Sequence, residues 1–158
     1  MNQITSIKAS DLPALGQRLD GHTLFARQWY GDQEYALVAF DADSELEAAW
    51  GEYGQNVATN HGDGEANTRA MAEAGSDLAA KVLGLGAFIP SALESHLMMY
   101  AKQLGYLADL NEDLWYWTSS QFSSYHAYSL DFEDGWQDLN DKTDERPVRP
   151  VRKILILH

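Results

Sequence analysis

Seven carboxylates, Asp131, Glu133, Asp134, Asp138, Asp141, Asp144 and Glu145, fall within fifteen residues late in the chain. Calcium chemistry is the first thing such a run could do, since that ion takes about six to eight oxygen ligands. The spacing contains no D-x-D-x-D-G loop, so no metal is expected. The plainer reading is a solvated, charged strand edge that discourages further strand addition. Arg149 and Arg152 lie beside these acids. They are expected to staple strands or helix ends through bidentate hydrogen bonds, not to hold a ligand. Ser119, Ser120, Ser123 and Ser124 stand close in sequence to His126. No nucleophile-elbow glycines surround them, so a catalytic serine is not expected. The five histidines show neither H-x-x-x-H nor H-E-x-x-H spacing, and His96 reads as a packed side chain. Residues 51–64 are rich in glycine, but no Gly-Lys-Ser/Thr ending makes them a phosphate cradle. With no cysteine there is no disulfide, thiolate metal site or cysteine nucleophile. The expectation is a protein that is not an enzyme and needs no cofactor.

Recognition is better represented than catalysis. Trp115, Trp117, Tyr125, Tyr128 and Trp136 concentrate aromatic side chains in one region. Alternate residues of a strand face opposite sides, so Trp136, Asp138 and Asn140 share a face, opposite Gln137 and Leu139. If Leu139 is core, Trp136 is exposed beside polar neighbours and makes an interaction hot spot with Tyr125 and His126. The alternative is that Trp136 covers the core edge. Trp117 and Phe132 are expected to pack inward.

Composition narrows the partner. The chain has 158 residues, 45% hydrophobic and 11% aromatic, with a net charge of −13. That size suits one domain, 1–158. Its charge argues against nucleic acid as a direct ligand, because phosphate binding needs a basic face, and against an anionic membrane. It is compatible with simple solubility and with attraction to a basic protein surface. No secretory signal is read in Met1 to Lys8 and no run is apolar enough to span a bilayer. A bacterial cytoplasm, or a virion released by lysis, is the expected location.

The elements that position these residues can be placed by pattern. Thr23 to Tyr30, a Gly31-Asp32 turn and Gln33 to Phe40 read as a β-hairpin. Asp41 to Trp50 is a short helical turn or irregular. Residues 51–64 are loop. A helix follows from Asp63, ended by Gly75, and a second runs from Ser76 to Leu83. Ser91-Ala92-Leu93-Glu94 is a capping box opening a helix to about Leu104, with Leu93, Leu97, Tyr100, Ala101 and Leu104 as its core face. The strands expected after it are Leu114 to Ser119, Tyr125 to Phe132, Trp136 to Asn140 and Val148 to Leu157. The prolines at 147 and 150 delay the last one to near Val151.

Several of these stretches resemble a known family. Tyr116-Trp117-Thr118-Ser119-Ser120, Ala127-Tyr128, Phe132, Gly135, Lys142 and Val148-Arg149-Pro150-Val151-Arg152 follow a Y-W-S-S … F-x-x-G … K … V-R-P-V-R pattern. Asp63-Gly64-Glu65-Ala66-Asn67-Thr68 looks like its D-G-x-x-N-T element. Phe88-Ile89-Pro90-Ser91-Ala92-Leu93-Glu94-Ser95-His96-Leu97 looks like its Y-L-P-S-x-x-E-L-x-x-L element. Together, over about residues 50–153, they resemble bacterial and phage domains named after the C-terminal domain of a collagen-like adhesin. Residues 1–45 look more like a phage-encoded subgroup. The resemblance implies an α+β, C-type-lectin-like fold: helices packed on a small, twisted, mostly antiparallel sheet, preceded by the N-terminal hairpin. It implies that the C-terminal strands present the recognition surface. The cysteines of the related formylglycine-generating enzymes are missing. So are the Glu-Pro-Asn, Gln-Pro-Asp and Trp-Asn-Asp triplets of calcium-dependent sugar binding.

The functional expectation is therefore a non-enzymatic recognition module, phage- or prophage-encoded, that binds a host or phage protein. Trp136, Tyr125, His126, Asp138 and Asn140 would make the contacts. Trp117, Arg149 and Arg152 would hold the scaffold. The alternative is an acidic intracellular inhibitor that fills a basic, nucleic-acid-binding groove of a host defence protein. A homo-oligomer is compatible with either.

Overall fold

The computed structural model describes residues 3–158; Met1 and Asn2, where the N-terminal reading begins, lie outside the described residues. Its strands are β1 Ser6–Lys8, β2 Arg18–Leu19, β3 His22–Tyr30, β4 Gln33–Ala39, β5 Leu46–Ala49, β6 Trp115–Gln121, β7 His126–Asp131, β8 Gln137–Asp141, β9 Glu145–Val148 and β10 Val151–Leu157. Its helices are α1 Gly64–Glu73, α2 Asp77–Gly84 and α3 Ala92–Gln103. The strands form three sheets, ordered β1-β10-β4-β3-β2, β5-β9 and β6-β7-β8.

This corrects the C-type-lectin-like expectation of helices on one small sheet. The protein is mostly sheet, 35% strand against 23% helix, and the five-stranded sheet curls into half a barrel. The reason lies in pairings between distant segments. The predicted hairpin is present as β3 and β4, joined at Gly31, whose φ of 68° suits a tight turn. It then recruits β10 along β4, antiparallel, with Val151 opposite Ala39 and Leu155 opposite Tyr35. On its other edge β10 pairs in parallel with β1. The hairpin is thus the middle of the largest sheet. Asp41 to Trp50, left open by the sequence, forms a short 3₁₀ turn at Ala42–Ser44 and then β5, paired to β9.

The five-stranded sheet is buried on both faces, which explains the unbroken burial of Leu24, Phe25 and Ala26. Leu24, Ala36, Val38, Ile154 and Ile156 pack on one side. Phe25, Leu37, Ala39 and Val151 face the other, against Met98 and Met99 of α3, Tyr116 and Leu130 of the β6-β7-β8 sheet, and Phe132 just after β7. A separate core joins α1 and α2 to Trp50, Trp117, Ala127 and Val148.

Helix α3 begins at the predicted capping box, with the Ser91 hydroxyl accepting from Glu94 N and the Glu94 carboxylate accepting from Ser91 N. Its buried face shares only Ala101, and the partly buried Leu97, with the predicted one. Ala92, Glu94, Ser95, Met98, Met99 and Ala101 point inward, while Leu93, Tyr100 and Leu104 are exposed. Apolar periodicity misplaces the stripe because a glutamate and a serine belong to it.

Candidate recognition surface

The motif residues singled out in the sequence are largely buried, and their polar atoms hold the small sheet to the helices. The Asn67 side chain accepts from Asn60 N (2.8 Å) and donates to Asn60 O (2.7 Å) and to Ser119 Oγ (3.2 Å). Thr68 donates to Gly64 O and accepts from Ile89 N. Ser119 N reaches Pro90 O, and Ala92 N reaches Ser120 Oγ. Trp117 is buried and donates from its indole to Ala48 O at 3.0 Å. Buried polar groups cost about 1–3 kcal/mol each when unpaired, so these contacts show that the residues serve the scaffold. They leave little of it free for a ligand.

The two arginines are built into that scaffold. Arg149 is buried, and its guanidinium reaches Glu45 Oε2, Asp109 Oδ1, Asp109 O and Phe40 O. Arg152 bonds Asp20 Oδ2 at 2.5 Å and donates to Ile4 O, tying β10 to residues far back in the chain. Neither offers a free charge to a partner.

Lys142, in the turn after β8, is 0% exposed. Its ammonium donates to Gln55 O and Gln121 Oε1, both at 2.7 Å, and sits 4.6 Å from the centre of the Trp50 ring. None of the ion pairs among the described residues includes it. Burial pushes its pKa down to about 8. The unfolded chain keeps this proton until about pH 10.4. Between those values the unfolded state binds more protons, so stability rises with pH. The full relief is roughly 3 kcal/mol. The denaturant midpoint of the wild-type protein is expected to climb from pH 8 to pH 9.5, and Lys142→Met is expected to lose that climb. Parallel profiles for the two would show that the ammonium is not strained.

The five expected contact residues do not form one patch. Tyr125 and His126 sit at the β6–β7 turn, where Tyr125 O accepts from Lys142 N. Trp136 sits at the β7–β8 turn, where its carbonyl accepts from Asp131 N at 2.9 Å. The two ends are separated by the length of β7, roughly 20 Å of extended chain. Asn140 is half-buried and accepts from Ser129 Oγ at 2.5 Å, which turns it toward the sheet's inner face. Leu139, the proposed core residue, is exposed. Trp136 is nevertheless 69% exposed. Strand parity alone could not find this, because Trp136 lies in the turn, outside the β8 ladder.

At the first end, Ser123, His126 and Asp141 come together: Ser123 Oγ is 3.4 Å from His126 Nδ1, and His126 Nε2 is 2.8 Å from Asp141 Oδ1. The serine oxygen also accepts from Tyr125 N and His126 N. These bonds close a tight turn and occupy the oxygen. The exposed Tyr53 packs on Tyr125 at 4.9 Å between ring centres. The sequence reading missed Tyr53, because residues 51–57 reach this turn through bonds to residues far along the chain: Gly54 N to Ser124 O, Val57 N to Gln121 Oε1 and Lys142 Nζ to Gln55 O.

At the second end, Asp131, Glu133 and Asp134 bring carboxylate oxygens within 4.8 Å of one another. Glu133 N bonds Asp131 Oδ1 and Gly135 N bonds Asp131 O, each at 2.8 Å, which folds the turn tightly. Asp138 follows two residues after Trp136. None of the ion pairs among the described residues involves Asp131, Glu133, Asp134 or Asp138. This turn therefore carries an exposed tryptophan and, within five residues of it in sequence, four carboxylates without an ion-pair partner among the described residues. Among the described residues no helix is long and apolar enough to cross a membrane. Comparison with protein-family models, curated proteins and solved structures finds no match to this chain.

Proposed function

We propose that the chain is a non-enzymatic recognition module that binds a basic protein segment through the β7–β8 end of its small sheet. The observation that carries this reading is Trp136, 69% exposed on the turn where the carboxylates of Asp131, Glu133 and Asp134 cluster, with Asp138 two residues on. Tryptophan binds a lysine or arginine through its ring face, and carboxylates attract the same charge. A net charge of −13 adds long-range steering toward a basic partner. The motif order supports a phage or prophage origin and a host or phage protein as partner.

A second reading shares the basic partner: an inhibitor that occupies a nucleic-acid-binding groove. The unpaired carboxylates favour it, since they carry the sign of charge that such a groove attracts. Competition by nucleic acid separates the two readings.

The test is capture of partner protein from bacterial extract at low and high salt, with wild-type protein and Trp136→Ala. Wild-type protein is expected to retain a basic protein that added salt releases. Trp136→Ala is expected to weaken capture by roughly thirtyfold, the scale of a hot-spot tryptophan, with an unchanged Tm. Equal capture by both proteins would remove Trp136 from the interface. A large fall in Tm would place it in the core.

A further inference from the structure

Strand β8 is an open edge of the small sheet. The five-stranded sheet ends in β1 and β2, of three and two residues. The other side of the small sheet is β6, which lies against β9. β8 has five residues, pairs only with β7 and is exposed at every position but Asn140. The ladder fixes which backbone groups are free. Asp131 N bonds Trp136 O, and Lys142 N bonds Tyr125 O. Those directly opposed residues are hydrogen-bonded pairs, so Ser129–Asp138 and Ala127–Asn140, two and four residues along, are as well. The N–H and C=O groups of Gln137 and Leu139 must therefore point away from β7. No backbone partner is recorded for them among the described residues. The one bond on that side is local: Leu139 N donates to Asp138 Oδ1 at 2.8 Å.

We infer that a basic, extended segment of the partner adds to β8 as a fourth strand, with Asp138 acting as a removable cap on the edge. This rests on the proposed recognition of a basic protein and names how it binds. Main-chain bonds to an open edge supply affinity, and flanking side chains supply selectivity. The flanking side chains here are Trp136 at one end and the carboxylates of Asp134, Asp138 and Asp141. A lysine or arginine on the incoming strand draws the Asp138 carboxylate off Leu139 N and frees that donor for the ladder. Without such a cation the carboxylate stays on the edge and blocks it, which disfavours pairing with a second β8 edge. Two β8 edges would set Asp138 and Asp141 of one copy against those of the other.

The test uses the full chain and a nine-residue peptide of alternating lysine and valine with blocked ends. Two analogues carry backbone N-methyl groups, on the odd or the even residues, at unchanged charge. The parent peptide is expected to bind and to slow amide exchange at Gln137 and Leu139 at least tenfold. One N-methyl series, the one whose N–H groups face β8, is expected to weaken binding at least tenfold. If both analogues bind as tightly as the parent, attraction is by charge alone: strand addition is overturned and recognition of a basic partner stands. If no peptide binds even at low salt, both readings fall.

Discussion

Replacing Glu94 with alanine is expected to cost about 4 kcal/mol of stability and to lower Tm by about 10 °C. Glu94 is buried at the junction of both long helices and the hairpin. Its Oε1 accepts from Gly64 N at 2.9 Å and Ser91 N at 2.8 Å, and its Oε2 accepts from the Tyr30 hydroxyl. Alanine leaves two N–H groups and a phenol without partners, each costing about 1–3 kcal/mol. Burial pushes the Glu94 carboxyl above the ordinary carboxylate range, while Tyr30 and the two N–H donors pull it back. Glutamine keeps an oxygen for both N–H groups and removes the buried charge, so Glu94→Gln is expected to lose only about 1 kcal/mol. Denaturant unfolding of the three proteins decides it. Equal losses for alanine and glutamine would mean that packing, not hydrogen bonding, gives Glu94 its role. The partner across the bond is equally constrained. A Cβ on Gly64 would stand 2.5 Å from Ile89 O and closer still to Glu94 Oε1. This is why a glycine opens α1.

Arg149→Ala is expected to be of the same size, about 3–5 kcal/mol, because it strands charges that the arginine gathers. The guanidinium spans Glu45, Asp109 and the Phe40 carbonyl, so it joins the end of β4, the approach to β5 and the loop after α3. Tyr116 shares the same glutamate, donating to Glu45 Oε2 at 2.7 Å. Lysine carries donors on a single nitrogen and cannot span this fork, so Arg149→Lys is expected to recover less than half the loss. Arg18→Ala serves as the contrast. Arg18 and Asp41 pair at 2.8 Å with both side chains about half exposed, a kind of pair worth less than about 1 kcal/mol. A calorimetric or urea series over these variants tests the ordering. A small loss for Arg149→Ala would mean that water replaces the arginine at its acceptors.

Much of the local structure is legible in the residues themselves. The Gly31-Asp32 turn, the Ser91 capping box and the breaks near Gly75 and Gly105 all depend on neighbours within a few positions, and turn and capping chemistry reads such neighbours directly. Topology is less legible. Nothing near Val151 announces that β10 will lie between β1 and β4, or that Leu46 will face Val148, since those pairings span most of the chain. The α3 face is missed for a different reason: Glu94 is buried because its partners Gly64 and Tyr30 come from elsewhere. The recognition site shows the same division. Trp136 can be picked out as a large aromatic among acids, but its separation from Tyr125 by the length of β7 follows from the turn positions, not from alternation.

The place of β10 bears on how the protein comes to be folded during synthesis. Sheets assembled from distant segments form slowly, because loop closure precedes the favourable contacts. β10 supplies the ladder for both β1 and β4, yet it is translated about a hundred residues after the hairpin it completes. Until it leaves the ribosome, β4 presents a bare apolar edge at Ala36, Leu37, Val38 and Ala39. The nascent chain therefore passes through a stage in which this strand is open to wrong pairing. A factor that shields apolar segments of nascent chains would act on residues 33–39 before the native ladder closes over them.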